Sequence, residues 1–147
     1  MGRRLNGSLR LVAPDAPSDA DRATILAALA AFNRAHADAG VVGPLAVLLQ
    51  DDQGGTVGGL WGATLFGWLK IELLFVPRPQ RGTAVGRTLM ARAERLAAER
   101  GCIGAFVDTY SFQARGFYEK LGYSLLGTIQ DQPPGGARHF LQKRFGV

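Results

Sequence analysis

The sequence predicts an α+β fold in which helices flank a mixed, mostly antiparallel and twisted sheet. Three apolar runs separated by short turns in the first half are typical of an antiparallel meander. In the second half a long amphipathic segment lies between two apolar runs, and a strand–helix–strand succession predicts a parallel crossover. A length of 147 residues suits one domain, so we expect a single domain over residues 1–147.

The first half contains a predicted helix followed by the meander. A capping box at Ser18–Asp21, with Asp in place of Glu, starts the helix, whose apolar face carries Ile25, Leu29 and Phe32. The segment Asp51–Gly55 predicts a hairpin turn. The predicted elements are a short strand at Leu9–Ala13, the helix at Asp19–Ala37, and strands at Leu45–Leu49, Val57–Leu65 and Trp68–Val76.

The second half is organised around one strongly amphipathic helix. Its apolar stripe runs from Val85 to Ala97, and Gly101 is typical of the residue that ends a helix. A loop that begins at Pro77 precedes it. The predicted elements are this helix at Ala84–Arg100, a strand at Cys102–Val107, a short helix at Gln113–Leu121, and strands at Tyr123–Ile129 and Arg138–Lys143.

The composition excludes several classes of protein. With 47% hydrophobic and 20% charged residues the chain can bury a core, which argues against disorder. No apolar run approaches the ~20 residues that span a bilayer, and no secretion signal is expected at the basic start. Cys102 is the single cysteine, and His36 and His139 have no metal-ligand spacing, so we expect no disulfide and no metal site. These features favour a cytoplasmic location.

The loop before the long helix has features of a phosphate-binding site. A helix start offers unpaired backbone N–H groups and a partial positive charge, and Gly82 and Gly86 would let a ligand approach that backbone. Arg78, Arg81 and Arg87 lie beside it in a chain of net charge +5. The alternative is an ordinary loop with its arginines in water. A P-loop is excluded because the segment from Gly82 is one residue short and has arginine in place of lysine.

Two motifs in this half resemble those of a known family. The segment Arg81–Gly86 is similar to the pattern [QR]-x-x-G-x-[GA], with Ala84 in place of the middle glycine. The segment Ser111–Tyr123 is similar to N-x-x-A-x-x-F-Y-x-x-x-G-[FY], with Ser111 in place of asparagine. In this order and spacing the motifs resemble the GNAT superfamily of acyl-CoA N-acyltransferases, over about half of the chain, from Trp68 to Lys143.

The resemblance implies a coenzyme site and a reaction. Acetyl-CoA would be the co-substrate, with its thioester attacked directly by an amine. A splayed strand end before the loop would present backbone groups to the pantetheine and thioester. The implied coenzyme-binding residues are Leu74, Phe75, Val76, Arg81, Gly82, Thr83, Ala84, Val85, Gly86, Arg87 and Ser111.

The resemblance also implies an acid, while the base stays open. Tyr118 matches the tyrosine that often protonates the leaving thiolate, although it could equally be a core aromatic beside Phe117. Glu72 interrupts an apolar run just before the loop and is our candidate base, unless it faces solvent. Asp108, at the end of the parallel strand, is the alternative base, and water is another.

The acceptor is not determined by the sequence. We expect a small-molecule amine, with a macromolecular acceptor such as a protein amine or charged tRNA as the alternative. A non-catalytic coenzyme A-binding protein is a third reading. We expect no nucleic-acid partner, because the arginines gather at the loop rather than interleaving with aromatics. A homodimer is left open, with Gln130–Gly136 as a candidate loop for substrate or dimer contacts.

Overall fold

A computed structural model describes residues 2–4 and 7–146. The chain divides into two compact units, Met1–Ala37 and Asp38–Val147. The first unit contains an antiparallel pair of short strands, β1 (Arg3–Arg4) and β2 (Arg10–Leu11), and the helix α1 (Asp19–Arg34). Among the described residues β2 is shorter than the predicted strand, and α1 ends three residues before the predicted Ala37.

The predicted start of α1 is confirmed. The hydroxyl of Ser18 accepts a hydrogen bond from the backbone N–H of Asp21 at 3.0 Å. This contact satisfies one of the N–H groups that a helix start leaves unpaired.

The second unit contains a six-stranded sheet and two helices. The sheet order is β3-β4-β5-β6-β8-β7, antiparallel throughout except for the parallel pair β5 and β6. This confirms the predicted α+β class. The elements are β3 (Gly43–Gln50), β4 (Thr56–Leu65), β5 (Trp68–Phe75), a 3₁₀ turn (Arg78–Gln80), α2 (Val85–Glu99), β6 (Gly104–Tyr110), α3 (Arg115–Lys120), β7 (Ser124–Gln130) and β8 (Ala137–Arg144).

Two tight turns build the meander β3-β4-β5. The carboxylate of Asp51 accepts hydrogen bonds from the N–H groups of Gln53 and Gly55, at 2.9 and 2.8 Å, which confirms the predicted turn. Phe66 and Gly67 both have positive φ, 52° and 73°, as a two-residue turn between antiparallel strands requires.

The helix α2 crosses over between β5 and β6 and packs its apolar stripe on the sheet. Leu89, Met90, Ala93 and Ala97 are buried there. The helix ends where Gly101 adopts a φ of 86°, and the N–H of Cys102 bonds the carbonyl of Ala97 at 3.0 Å. This closing turn uses Cys102, so β6 begins two residues later than predicted.

Candidate functional site

The main cavity of the second unit opens where β5 and β6 separate. Their parallel pairing stops at Ile71 and Val107, and beyond these residues the two strands diverge. The cavity has a volume of about 740 Å³ and extends from this divergence to the start of α2, with α3 along one side. Leu73, Leu74 and Val76 line it from the end of β5, as predicted for a splayed strand.

A β-bulge directs Glu72 towards this cavity. Trp61 of β4 pairs with Leu73 and the next residue, Gly62, pairs with Ile71, so Glu72 has no partner across the β4–β5 ladder. Bulges of this kind re-aim a side chain and are frequent beside active sites. Glu72 lines the cavity, is exposed, and makes no hydrogen bond or ion pair with any residue that the structure describes. Glu72 is thus both open to solvent and on the cavity wall, and its role as the base stays a prediction.

The predicted phosphate loop forms the other end of the cavity. The N-cap of α2 is Ala84, which has no side chain that could accept a hydrogen bond, and the first turn of α2 holds no acidic residue. The N–H of Val85 bonds the Thr83 hydroxyl, whereas the N–H groups of Gly86 and Arg87 have no partner within the described chain. Gly82 has a φ of 76°, and no heavy atom of the described residues lies within 4 Å of the position that a Cβ would take. The helix start therefore offers free N–H groups next to open space.

Arg81 and Thr83 fix the shape of this loop. The guanidinium of Arg81 donates from Nε to the carbonyl of Val76 at 2.9 Å and lies over the Phe75 ring, 5.5 Å from its centroid. The hydroxyl of Thr83 bonds the carbonyl of Gln80 and accepts from the N–H of Val85. Both side chains line the cavity, as Gly82 does.

Gly86 lines the cavity but serves a purpose that the sequence did not indicate. A Cβ on Gly86 would lie 3.2 Å from the Phe117 ring of α3, so the missing side chain makes room for that ring. The glycine thereby brings α3 close to the start of α2.

The remaining predicted coenzyme residues lie at the margins. Ala84 and Val85 line a second, apolar cavity of about 290 Å³ on the β3 side of α2. Arg87 is exposed and does not line the main cavity. Ser111 does not line it either, because its hydroxyl accepts from the N–H of Ala137 at 3.1 Å and so secures the loop before β8.

Tyr118 lies on the cavity wall. Its residue is 7% exposed, and its hydroxyl makes no hydrogen bond within the part of the chain that the structure describes. Burial, together with the charge of Asp108, raises the pKa of Tyr118 to about 12. The phenol is therefore protonated at neutral pH and available as a donor.

Asp108, the alternative base, already forms an ion pair. Its Oδ2 accepts a hydrogen bond from Nε of Arg138 on β8 at 2.7 Å, and it lines the cavity opposite the bulge. Arg138 in turn lies over the rings of Tyr110 and Phe140, 5.5 and 5.0 Å from their centroids.

Several residues that line the cavity were missed by the sequence analysis, among them the polar residues Thr109 and Gln113. Gln113 accepts hydrogen bonds at Oε1 from the Thr109 hydroxyl and from the N–H of Tyr110, at 3.0 and 2.7 Å. These bonds fix the turn from β6 into α3, and Thr109 and Gln113 both line the cavity. In the sequence, Thr109 and Gln113 could be noticed only as polar side chains that follow the apolar run Cys102–Val107.

No helix of the described chain has the length and apolar character that crossing a membrane requires. Among the same residues no group of three or more His, Cys, Asp or Glu side chains is arranged to hold a metal ion.

Comparison with known proteins gives consistent matches. The model of the acetyltransferase (GNAT) family matches residues 11–123. A blasticidin-S acetyltransferase of Streptomyces morookaense is 46% identical over 93 residues, which cover 63% of this chain and 68% of that protein. An acetyltransferase of Agrobacterium fabrum is 37% identical over 117 residues, covering 80% of this chain and 85% of the relative.

A solved structure agrees with these matches. The crystal structure of a candidate acetyltransferase from Agrobacterium tumefaciens superposes with a TM-score of 0.87 at 34% identity, covering 93% of this chain and all of that one. The chain belongs to the acetyltransferase (GNAT) family and is an acyltransferase.

Proposed function

We propose that this acyltransferase moves an acetyl group from acetyl-CoA to the primary amine of a small molecule, by direct attack with Tyr118 as the general acid. The observation that carries the proposal is the hydroxyl of Tyr118, which has no hydrogen-bond partner among the described residues and lies on the wall of a cavity that joins the start of α2 to Glu72. We also propose that both compact units belong to one acetyltransferase domain, since the family model covers parts of each.

The coenzyme would lie with its pyrophosphate at the start of α2. Unpaired N–H groups and the helix dipole attract phosphate there, and Gly82 leaves the approach open. The pantetheine would then follow the diverging end of β5. Beyond Ile71 the backbone of β5 has no β6 partner, so its groups that face the cleft are free to bond the pantetheine and the thioester oxygen.

The amine would attack from the bulge side of the cavity. A primary amine is mostly protonated at neutral pH, since its pKa is about 10. Glu72 takes the proton, directly or through water, and the nitrogen lone pair forms a bond to the thioester carbon. The carbonyl electron pair moves to oxygen, and its return expels the sulfur, which takes the proton of Tyr118. The attacking nitrogen then loses its second proton, which returns through water to the Tyr118 oxygen, and Glu72 releases the first proton to solvent. The products are an acetamide and free coenzyme A.

Tyr118 would act when the carbon–sulfur bond breaks. A simple alkyl thiol has a pKa of about 8.5 in water, well below the value of about 12 for Tyr118. Complete proton transfer from Tyr118 to a fully formed, hydrated thiolate would therefore be unfavourable in free energy. A thiolate in the same cavity loses solvation too, which raises the pKa of its thiol. The phenol therefore first stabilises the growing charge on sulfur by a hydrogen bond and transfers its proton as the bond breaks.

The small-molecule acceptor is supported by the blasticidin-S acetyltransferase among the relatives. The test is release of coenzyme A thiol from acetyl-CoA in the presence of blasticidin S, a panel of small amines, a lysine peptide and charged tRNA. We expect turnover with at least one small amine. Turnover confined to the peptide or the tRNA would show that the acceptor is a macromolecule and not a small amine. Coenzyme binding without any turnover would indicate a non-catalytic protein.

A further inference from the structure

The charged side chains that line the cavity differ between its two ends. Arg81 is the cation at the loop end, beside the start of α2. At the other end the charged lining residues are the carboxylates of Glu72 and Asp108. A coenzyme with anionic phosphates matches the first end. At the second end Glu72 has no ion pair within the described residues, and Asp108 is paired with Arg138, which lies outside the lining.

The carboxylate of Asp108 is held in a fixed orientation by a residue that does not line the cavity. Arg138 binds Oδ2 of Asp108 through Nε at 2.7 Å, and the guanidinium lies over two aromatic rings, Tyr110 and Phe140. Arg138 is not among the residues that line the cavity, whereas Asp108 is. The other carboxylate oxygen of Asp108 makes no hydrogen bond to the residues that the structure describes.

The hydroxyl of Tyr118 lies on the wall of the same cavity. This side chain is 7% exposed, has no hydrogen-bond partner within the described residues, and lies close enough to Asp108 for that charge to affect its pKa. The hydroxyl oxygen is accessible from the cavity, so a ligand that enters there can bond it. The carboxylates of Asp108 and Glu72 thus lie at the point where a thioester and an amine would meet.

We propose that Asp108 is the acceptor-binding carboxylate, held in place by Arg138, and that it selects acceptors carrying a second positive charge beside the reacting amine. This inference rests on the proposed acetyl transfer. The two carboxylates then have different roles. Glu72, which has no ion pair within the described chain, takes the proton of the reacting nitrogen. Asp108, with one oxygen engaged by Arg138, binds the second ammonium or guanidinium group through the other oxygen.

The test compares three acceptors of equal length: 1,3-diaminopropane, 1-aminobutane and β-alanine. These probes differ in the group at the far end, which is cationic, neutral and anionic in turn. With acetyl-CoA saturating, we expect wild-type kcat/KM to fall in that order. The ratio between two acceptors is measured within one preparation, so partial loss of folded protein cancels.

Asp108→Asn should remove most of this preference. A hydrogen bond to a charged group contributes ~1.5–3 kcal/mol, so KM for 1,3-diaminopropane should rise ~10–100-fold, with kcat and coenzyme affinity within about twofold of wild type. Asp108→Glu keeps the charge and should keep part of the preference. Glu119→Gln is the matched control, because Glu119 also pairs with an arginine Nε, that of Arg115 at 3.0 Å, but does not line the cavity.

Arg138→Met tests the positioning. It leaves Asp108 charged but without its holding contact, so KM for 1,3-diaminopropane should rise less than in Asp108→Asn, and the preference for the dication should weaken but persist. Unchanged acceptor ratios in Asp108→Asn would overturn the inference. So would a kcat loss in that variant that high pH restores, since Asp108 would then be the base. A wild-type protein that releases thiol with no amine at all would instead overturn the proposed function.

Discussion

The ring of Tyr123 packs edge-on against the ring of Tyr118, with 6.0 Å between the centroids and 71° between the planes. Tyr123 is itself anchored, because its hydroxyl donates to Glu94 of α2 at 2.9 Å. Glu94 also accepts from Lys143 of β8 at 2.7 Å. The candidate acid is therefore braced by a buried network that reaches both α2 and the sheet, which fixes where its hydroxyl can point.

Tyr118→Phe removes one hydroxyl and keeps the ring in this packing. We expect turnover to fall by ~10²–10⁴-fold, because a positioned acid is lost, while coenzyme affinity hardly changes. Steady-state kinetics and a coenzyme titration check both expectations. Tyr110→Phe is the control, since Tyr110 is not among the residues that line the main cavity. Near-normal turnover in Tyr118→Phe would retire Tyr118 as the acid.

The raised pKa of Tyr118 predicts a stability change at high pH. An unfolded tyrosine ionises near pH 10, whereas folded Tyr118 keeps its proton to about pH 12. Between these values the folded state binds more protons, so the free energy of unfolding falls as pH rises. Tyr118 should account for about 1.5 kcal/mol of the fall between about pH 10 and 11.5.

Urea unfolding of wild type and Tyr118→Phe across this pH range measures how much of the loss of stability comes from Tyr118. The variant should lose less stability with pH than wild type, although it retains Tyr123, whose pKa is also raised by burial and by Glu94. Parallel losses in the two proteins would show that Tyr118 ionises normally. The same pKa places the high-pH decline of wild-type turnover near pH 12 rather than 10.

Gly82→Asp tests the coenzyme loop against a matched variant, Gly82→Asn. Both residues tolerate the positive φ of 76° at this position better than other non-glycine residues, and the two side chains differ mainly in charge. At 100 times the dissociation constant, acetyl-CoA should stabilise wild type by about 2.7 kcal/mol. Thermal unfolding should show that gain abolished in Gly82→Asp and largely kept in Gly82→Asn. An equal response in all three proteins would exclude phosphate binding at this loop.

Glu72→Gln tests the base. Turnover should fall most at low pH, where the acceptor amine is largely protonated, and recover as rising pH supplies the free amine. A pH–rate profile against wild type gives the comparison. A loss that is equal at all pH values would assign Glu72 to binding or structure. If Asp108→Asn shows the recovery and Glu72→Gln does not, the base is Asp108.

The sequence predicted the elements of the sheet and the site at its crossover, because periodicity and turn residues are local signals. It could not predict contacts between distant residues. The ion pair of Asp108 with Arg138 joins residues 30 apart and changed the reading of Asp108 from a free carboxylate to a held one. The bulge at Glu72 is a mismatch between two strands and leaves no mark in either strand alone.

The two loop glycines show the same limit. Both glycines were predicted from the sequence to let a phosphate approach the backbone, because the sequence alone does not show what surrounds a glycine. Gly82 does face open space, but Gly86 accommodates the ring of Phe117, which lies on another helix. Likewise Ser111 occupies an asparagine position of the family pattern, while its hydroxyl bonds the chain before β8.

The sheet order places β8 between β6 and β7, so the final described strand in the chain is an interior strand of the sheet. During synthesis on a ribosome, β6 and β7 therefore each wait for a partner until residues 137–144 emerge. Asp108 likewise has no Arg138 beside it until then. The nascent chain can form the meander early, but it acquires the acceptor side of its cleft only after residues 137–144 have emerged.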